Sequence, residues 1–323
     1  MTASRTTDQV AGEAAQRRHL FDVDALTVNG IAQILDEAER MTEPIGAPLR
    51  GKTVINFFAE ASTRTRVSFQ IAAGRLGAQV VNIAADGSSL EKGESLVDTV
   101  RTLQAVGAHA LVIRHAEPGA PYLAARHFRG PVINAGDGRH AHPTQALLDL
   151  LTMRRLFGTL RGLIVAIVGD VTHSRVARST ALGLLLCGAQ VRLCAPPTLL
   201  PHPGWIAALP PSSEGGTVLQ TTFMRDALDG AQVVMTLRMQ AERQQNGLLP
   251  NLREYVRMYG ITTARLAELA PDAVVMHPGP VNEGVEIAPE LMTGRVSLIS
   301  QQVENGVLVR MAVLKLLLGE TGE

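Results

Sequence analysis

Apolar residues recur along this chain with two periods that alternate over most of its length. From Val28 to Met41 they fall at Val28, Ile31, Ile34, Leu35 and Ala38, the three-to-four spacing of a helix with one buried face. Short β-rich runs follow at Thr53–Phe58, Gln79–Ile83, Ala110–Ile113 and Val132–Asn134, separated by helical patterns around Arg64–Leu76, Leu96–Val106 and Tyr122–His127. Strands alternating with helices predict a parallel sheet covered on both faces. A helical pattern over Pro143–Phe157 ends at Gly158, and a second series opens with the continuous apolar strand Leu163–Val168. It continues with a helix near Val176–Cys187 and strands at Val191–Cys194, Val218–Gln220, Val233–Thr236 and Ala273–Met276. The expected fold is α/β, with two open doubly wound parallel-sheet lobes joined by interdomain helices. We place the lobes at 1–150 and 151–299, with a helix over 300–323 docking back on the first. Residues 1–18 read as a frayed tail, and Ala195–Pro203 and Pro210–Gly216 as turn-rich connections.

Length agrees with that division, since 323 residues exceed one compact core and suit two domains of roughly 150 each. A chain 46% hydrophobic and 19% charged is too apolar for disorder. Thirty Lys and Arg balance thirty Asp and Glu, so no global field draws the chain to nucleic acid or to a membrane surface. Any anion site must be local. The apolar stretches Leu163–Val168 and Ala181–Ala189 fall far short of the roughly 18–20 residues of a membrane span. Met1–Arg18 is polar with no apolar run, so no secretory signal is expected and the cytoplasm is the expected location. Cys187 and Cys194, with no CxxC and no His at ligand spacing, read as free thiols.

Candidate chemistry gathers where strands end. Glu60-Ala61-Ser62-Thr63-Arg64-Thr65-Arg66 follows a strand and opens a helix, a place where unpaired N–H groups and the positive dipole end suit a phosphate. One Ser or Thr would suffice as a cap, whereas two arginines in the first turn oppose the helix dipole and require another reason. Ser88 to Glu94 is a polar loop containing Lys92, and a capping box with a solvated lysine explains it equally well. Arg114-His115 ends another strand. Asn134-Ala135-Gly136-Asp137-Gly138 reads as a turn-rich loop, leading to His142-Pro143-Thr144-Gln145, where His142 and Gln145 share one helix face. His140 and His142 lack the further ligands of a metal site, so no metal and no cofactor is expected. Gly169 to Arg175 lacks the second and third glycines of a dinucleotide fingerprint, which argues against a dehydrogenase. Arg238-Met239-Gln240-Ala241-Glu242-Arg243 and His277-Pro278-Gly279-Pro280 follow the strands Val233–Thr236 and Ala273–Met276. A neutral chain that carries Arg, Lys or His after nearly every strand concentrates positive charge for anionic ligands. The residues by themselves leave open a transferase or an isomerase of phosphorylated and carboxylated small molecules.

Ser62-Thr63-Arg64-Thr65-Arg66, Lys92-Gly93-Glu94, Arg114-His115, His142-Pro143-Thr144-Gln145, Arg238-Met239-Gln240 and His277-Pro278-Gly279-Pro280, in this order and spacing, closely resemble the carbamoyltransferases, and among them the branch whose acceptor is L-aspartate. The likeness runs from about residue 19 to the C-terminus. It implies that the first lobe binds carbamoyl phosphate and the second L-aspartate, with the carbamoyl group passing to the amine in an early step of pyrimidine synthesis. Ser62, Thr63, Arg64, Thr65 and Ser88 would hold carbamoyl phosphate together with Arg114. Thr65, Arg114 and His142 would donate to its carbonyl oxygen, and Gln145 with the turn Pro278, Gly279 and Pro280 would orient its amide. Arg175, Arg238, Gln240 and Lys92 would hold aspartate. The likeness also implies a homotrimer in which Ser88 and Lys92 reach a neighbour's site, able to assemble further with regulatory or dihydroorotase-like chains. Lobe closure would pair Arg243 with Glu60 and Glu242 with Arg238. The chain departs from the family at Val281-Asn282-Glu283-Gly284, where an Arg is usual, and at Phe57-Phe58-Ala59-Glu60. Ornithine carbamoyltransferase is the nearest rival, although Arg238 would repel a cationic acceptor, and a non-catalytic binding chain is the other alternative.

Overall fold

Strand-forming and helix-forming segments alternate in the computed structural model, which describes residues 19–42, 45–84, 93–239 and 251–319. The chain divides into two units, Met1–Thr144 with Gly306–Glu323, and Gln145–Asn305. In the first unit α1 (Val28–Arg40) leads to β1 (Thr53–Phe58), α2 (Thr63–Arg75), β2 (Gln79–Ala84), α3 (Leu96–Ala105), β3 (Ala110–His115), α4 (Ala120–Ala125) and β4 (Val132–Asp137). The four strands are parallel in the order β2-β1-β3-β4. Alternation sets the packing: Ile55 and Phe57 of β1 and Leu111 and Ile113 of β3 bury one face against Val100 and Leu103 of α3 and Ala120 and Ala124 of α4. Val54, Phe58, Ala110 and Val112 point the other way and are equally buried. A strand buried on both faces reads as a continuous apolar run, and each such side chain stabilises the unit by about 1.5–3 kcal/mol.

The expected loop at Asn134–Gly138 is a correction. Strand β4 continues to Asp137, and all six of its residues are buried. Polar residues are tolerated there because their groups are paired: Asn134 Nδ2 donates to Asp137 Oδ1 and to the Phe21 carbonyl, both at 2.8 Å, and Asn134 Oδ1 accepts the Gly136 N–H at 2.8 Å. Gly136, at φ 118°, accommodates the irregularity where β4 slips register against β3.

The chain passes between units inside α5 (Pro143–Phe157) and inside its last helix. The second unit contains β5 (Ile164–Val168), α6 (Arg175–Leu186), β6 (Gln190–Cys194), α7 (Pro203–Ala207), β7 (Thr217–Thr221), α8 (Met224–Leu228), β8 (Val233–Thr236), α9 (Leu252–Tyr259), α10 (Thr263–Leu269), β9 (Val274–Met276) and α11 (Glu290–Thr293). Its sheet is parallel in the order β7-β6-β5-β8-β9. Helices α7 to α11 were not among the expected elements: at four to eight residues they are too short to show a helical apolar period. The last helix, α12 (Ile299–Leu318), places Leu308, Val309, Met311, Ala312, Val313 and Leu314 in the core. Its Lys315 reaches Glu37 of α1 at 2.6 Å, and its Arg310 donates to Ser68 of α2 at 2.9 Å while lying over the Phe69 ring.

Both cysteines are free thiols, and burial pushes Cys187 up to about 11 and Cys194 up to about 12, so neither is a reactive thiolate. Among the described residues no helix is long and apolar enough to cross a membrane.

Candidate active site

An open parallel sheet forms a crevice where its strand order reverses, beyond the carboxyl ends of the two strands that flank the reversal. In the first unit that point lies between β1 and β3. The segment after β1 is the turn that opens α2, and the C-terminal residues of β3 are Arg114 and His115. Topology therefore gathers the polar sequence 60–66 and Arg114 at one sheet edge. In the second unit the reversal falls between β5 and β8. There the loop after β5 leads to Arg175, the first residue of α6, and the residues after β8 include Arg238. Each unit thus brings arginines to its own switch point.

Ser62 is the N-cap of α2 but makes no side-chain cap bond, unlike Thr27, Ser95 and Ser174, whose hydroxyls accept N–H groups at 3.1, 3.2 and 3.1 Å at the starts of α1, α3 and α6. The Ser62 hydroxyl thus occupies none of the first N–H groups of α2. Thr63 and Arg64 are exposed, Ser62 is half-buried and Thr65 is buried. Arg114 is held within this unit by Glu60 at 2.9 Å and by the Ala135 carbonyl at 3.3 Å. Such a charge-assisted bond fixes the guanidinium beside the turn. Glu60 thus has its ion pair with Arg114, while the other expected latch residues, Glu242 and Arg243, lie outside the described residues.

Beside Arg114, burial pushes the His115 imidazole down from its usual value, which keeps the ring neutral near pH 7. Its Nδ1 accepts the Glu117 N–H at 2.9 Å. Burial would raise the Asp137 carboxyl, but hydrogen bonds from His140, the Gly119 N–H and Asn134 outweigh it and hold the group below the ordinary range. His140 is engaged by this carboxylate at 3.1 Å. His142 is buried immediately before α5, and Gln145 is buried in its first turn.

In the second unit Gln145 donates through Nε2 to Asp149 at 3.0 Å. The turn 277–280 is built by its first residue: His277 Nδ1 accepts the Gly279 N–H at 2.7 Å, which leaves Nε2–H to face Glu286 at 3.2 Å. Glu286 also accepts the Asn282 N–H at 2.7 Å. Asn282 stands in the stretch where the family usually has an Arg, and its Nδ2 holds the Met239 carbonyl at 2.9 Å, beside Arg238. This bond ties the loop after β9 to the loop after β8. Arg175 and Arg238 are both half-buried, and Gly279 and Pro280 are accessible. Ser88, Lys92 and Gln240 lie outside the described residues.

Sequence reasoning passed over Asp149, Gln302 and Glu286, all buried. The signal for Asp149 was a lone carboxylate in the apolar run Ala146 to Leu151; Gln302 and Glu286 carried none. Among the described residues no group of three His, Cys, Asp or Glu side chains is placed to hold a metal ion.

The parallel sheets and the arginines at each switch point define a two-unit α/β protein whose strand-end crevices suit anionic ligands. Residues 18–155 match the carbamoyl-phosphate-binding domain of aspartate/ornithine carbamoyltransferases, and residues 161–317 match the Asp/Orn-binding domain. The chain belongs to the aspartate/ornithine carbamoyltransferase family. It is 57% identical to the aspartate carbamoyltransferase catalytic subunit of Chloroflexus aggregans, over 93% of this chain and 97% of that one. Against the Sorangium cellulosum catalytic subunit it is 52% identical, over 95% and 94% of the two chains. Among solved structures, the ornithine carbamoyltransferase of Pyrococcus furiosus superposes with a TM-score of 0.86 at 28% identity, covering 94% of this chain and 98% of that one. The aspartate transcarbamoylase of Trypanosoma cruzi, in complex with N-(phosphonacetyl)-L-aspartic acid, superposes at 0.84 with 29% identity, covering 95% and 98%.

Proposed function

We propose that the chain transfers the carbamoyl group of carbamoyl phosphate to the amine of L-aspartate, giving N-carbamoyl-L-aspartate and phosphate, an early step of pyrimidine biosynthesis. The observation that carries this reading is the arrangement at the two switch points, with an arginine-bearing helix start beside Arg114 in one unit and Arg175 with Arg238 in the other. The first arrangement suits a phosphate and the second an acceptor with two carboxylates. Relatives named aspartate carbamoyltransferase catalytic subunits at 49–57% identity support aspartate over ornithine.

In this reading the N–H groups at the start of α2, with Ser62, Thr63, Arg64, Thr65 and Arg114, hold the phosphate, each charge-assisted bond contributing about 1.5–3 kcal/mol. Thr65, Arg114 and His142 donate to the carbonyl oxygen. The aspartate amine attacks the carbonyl carbon, a C–N bond forms, and those donors stabilise the oxyanion of the tetrahedral intermediate. The C–O bond to phosphate then breaks, and the departing phosphate takes the amine proton. Gln145 and the Pro278 and Gly279 carbonyls orient the carbamoyl amide, while Arg175, Arg238 and Gln240 hold the acceptor carboxylates.

Ser88 and Lys92 complete a neighbouring subunit's site in a homotrimer, working in the cytoplasm. Val67 and Ile71 of α2 are exposed apolar residues one helical turn apart, which supports a subunit contact on this face of the first unit. Assembly with regulatory or dihydroorotase-like chains is the further step. Turnover by the full chain decides the reading. Carbamoyl phosphate with L-aspartate should give product, L-ornithine should not, and Lys92→Ala should abolish activity; ornithine-dependent product would transfer the reading to the other branch.

A further inference from the structure

Asp149 is a fully buried carboxylate in the middle of an apolar helix, and its hydrogen bonds converge from three separate elements. Gln145 Nε2 donates to Oδ1 at 3.0 Å, Gln302 Nε2 donates to the same oxygen at 2.8 Å, and Thr180 Oγ1 donates to Oδ2 at 3.0 Å. A carboxylate is an acceptor only, so it dictates the orientation of both glutamine amides: each turns its NH2 group inward and keeps its carbonyl oxygen for something else. For Gln302 that oxygen accepts the His277 N–H at 2.9 Å. For Gln145 it becomes the group the residue can offer a ligand.

The turn 277–280 repeats the pattern. Pro278 and Pro280 have no N–H to give. The His277 N–H is taken by Gln302 and the Gly279 N–H by His277 Nδ1. Every backbone donor of the turn is absent or spent, and its carbonyls remain. One buried carboxylate therefore stands behind two parts of the second unit that both present acceptors.

Building on the proposed function, in which Gln145 and this turn meet the carbamoyl amide, we infer that Asp149, through Gln145 and Gln302, is a positioning residue that makes the donor site read an NH2 group. A carbamoyl group can donate to those acceptors, whereas the methyl of acetyl phosphate, a donor of the same shape and charge, cannot. Discrimination between the two thus depends on a residue that touches neither. Replacing Asp149 with Asn supplies a donor where the node needs an acceptor, so that the Gln145 and Gln302 amides are free to turn over, and a turned Gln302 sets its NH2 against the His277 N–H.

The test measures kcat/KM for carbamoyl phosphate at saturating L-aspartate, with competitive inhibition constants for acetyl phosphate and for inorganic phosphate. Wild type, Asp149→Asn, Gln302→Leu and Gln145→Ala are compared as full chains, with melting curves to establish folding. Asp149→Asn is expected to lower the preference for carbamoyl over acetyl phosphate about tenfold, the scale of one lost hydrogen bond, with phosphate inhibition unchanged. A general loosening of the fold would weaken all three ligands together. A folded Asp149→Asn chain with the wild-type preference overturns the inference, and if that variant does not fold, the same ratio in Gln302→Leu decides in the same way. If Gln145→Ala itself keeps the wild-type preference, the fault lies in the role given to Gln145 and the inference falls with it. Loss of preference in Gln145→Ala but not in the folded Asp149→Asn chain leaves the proposed function standing and removes only the node.

Discussion

Arg114 meets the Glu60 carboxylate and the Ala135 carbonyl, so its guanidinium is oriented before any ligand arrives. In the proposed function Arg114 is one of the oxyanion donors, so replacing it with Gln is expected to lower kcat by about 10²–10³ while the melting temperature changes little; steady-state kinetics beside a thermal melt checks both. Asp137, whose carboxyl is held below its ordinary value, favours the fold at neutral pH. Its contribution is complete above the unfolded-state carboxylate pKa of about 4 and is lost as pH falls through the lower folded value. Asp137→Asn should therefore flatten the acid limb of a stability-against-pH curve, measured by urea unfolding between about pH 3 and pH 7. The placement of Arg114 and Arg238 at or just after strand ends was legible because each follows a continuous apolar run. Asp149, Gln302 and Glu286 were not, because their meaning lies in partners such as the Gln302–Asp149 pair, 153 positions apart in sequence.

Elements were legible wherever their period ran long enough. The strands Thr53–Phe58 and Val233–Thr236 have the bounds their β-branched and aromatic runs mark out. Strand β4 was read three residues short because Asn, Gly and Asp are turn formers, and only the partners of Asn134 and Asp137 let them lie within a sheet. Gly169 gains a structural explanation. It sits at φ 131° directly after β5, where a Cβ would lie 3.0 Å from Leu237 Cβ and 3.3 Å from the Tyr255 hydroxyl. Gly169→Ala should destabilise by about 1–3 kcal/mol through backbone strain and crowding, read as a lower denaturation midpoint. Between α1 and α12, the hydrogen bond from Lys315 outweighs burial and holds the Glu37 carboxyl below its usual range. Lys315→Met should cost up to about 1 kcal/mol at pH 7, because the lysine is partly exposed, and the deficit should close as pH falls through the Glu37 titration.

At the scale of the whole molecule, the proposed trimer places activity outside any single chain. Val67→Glu introduces a charge beside the exposed Ile71 one turn along the same helix, and is expected to leave a folded monomer with little turnover. Sedimentation velocity and activity on the same sample check this, and a fully active monomer would contradict the shared site. The division of the chain into two units has a further consequence for synthesis. The second unit is one continuous stretch, Gln145–Asn305, whereas the first combines Met1–Thr144 with Gly306–Glu323. A ribosome releases residues in order, so the unit begun first is completed last, after a whole second unit has emerged. Until α12 arrives, the surface destined to meet Val309, Ala312 and Leu314 stays open to other chains, and a message broken late in its reading frame leaves its damage in the earliest-made half.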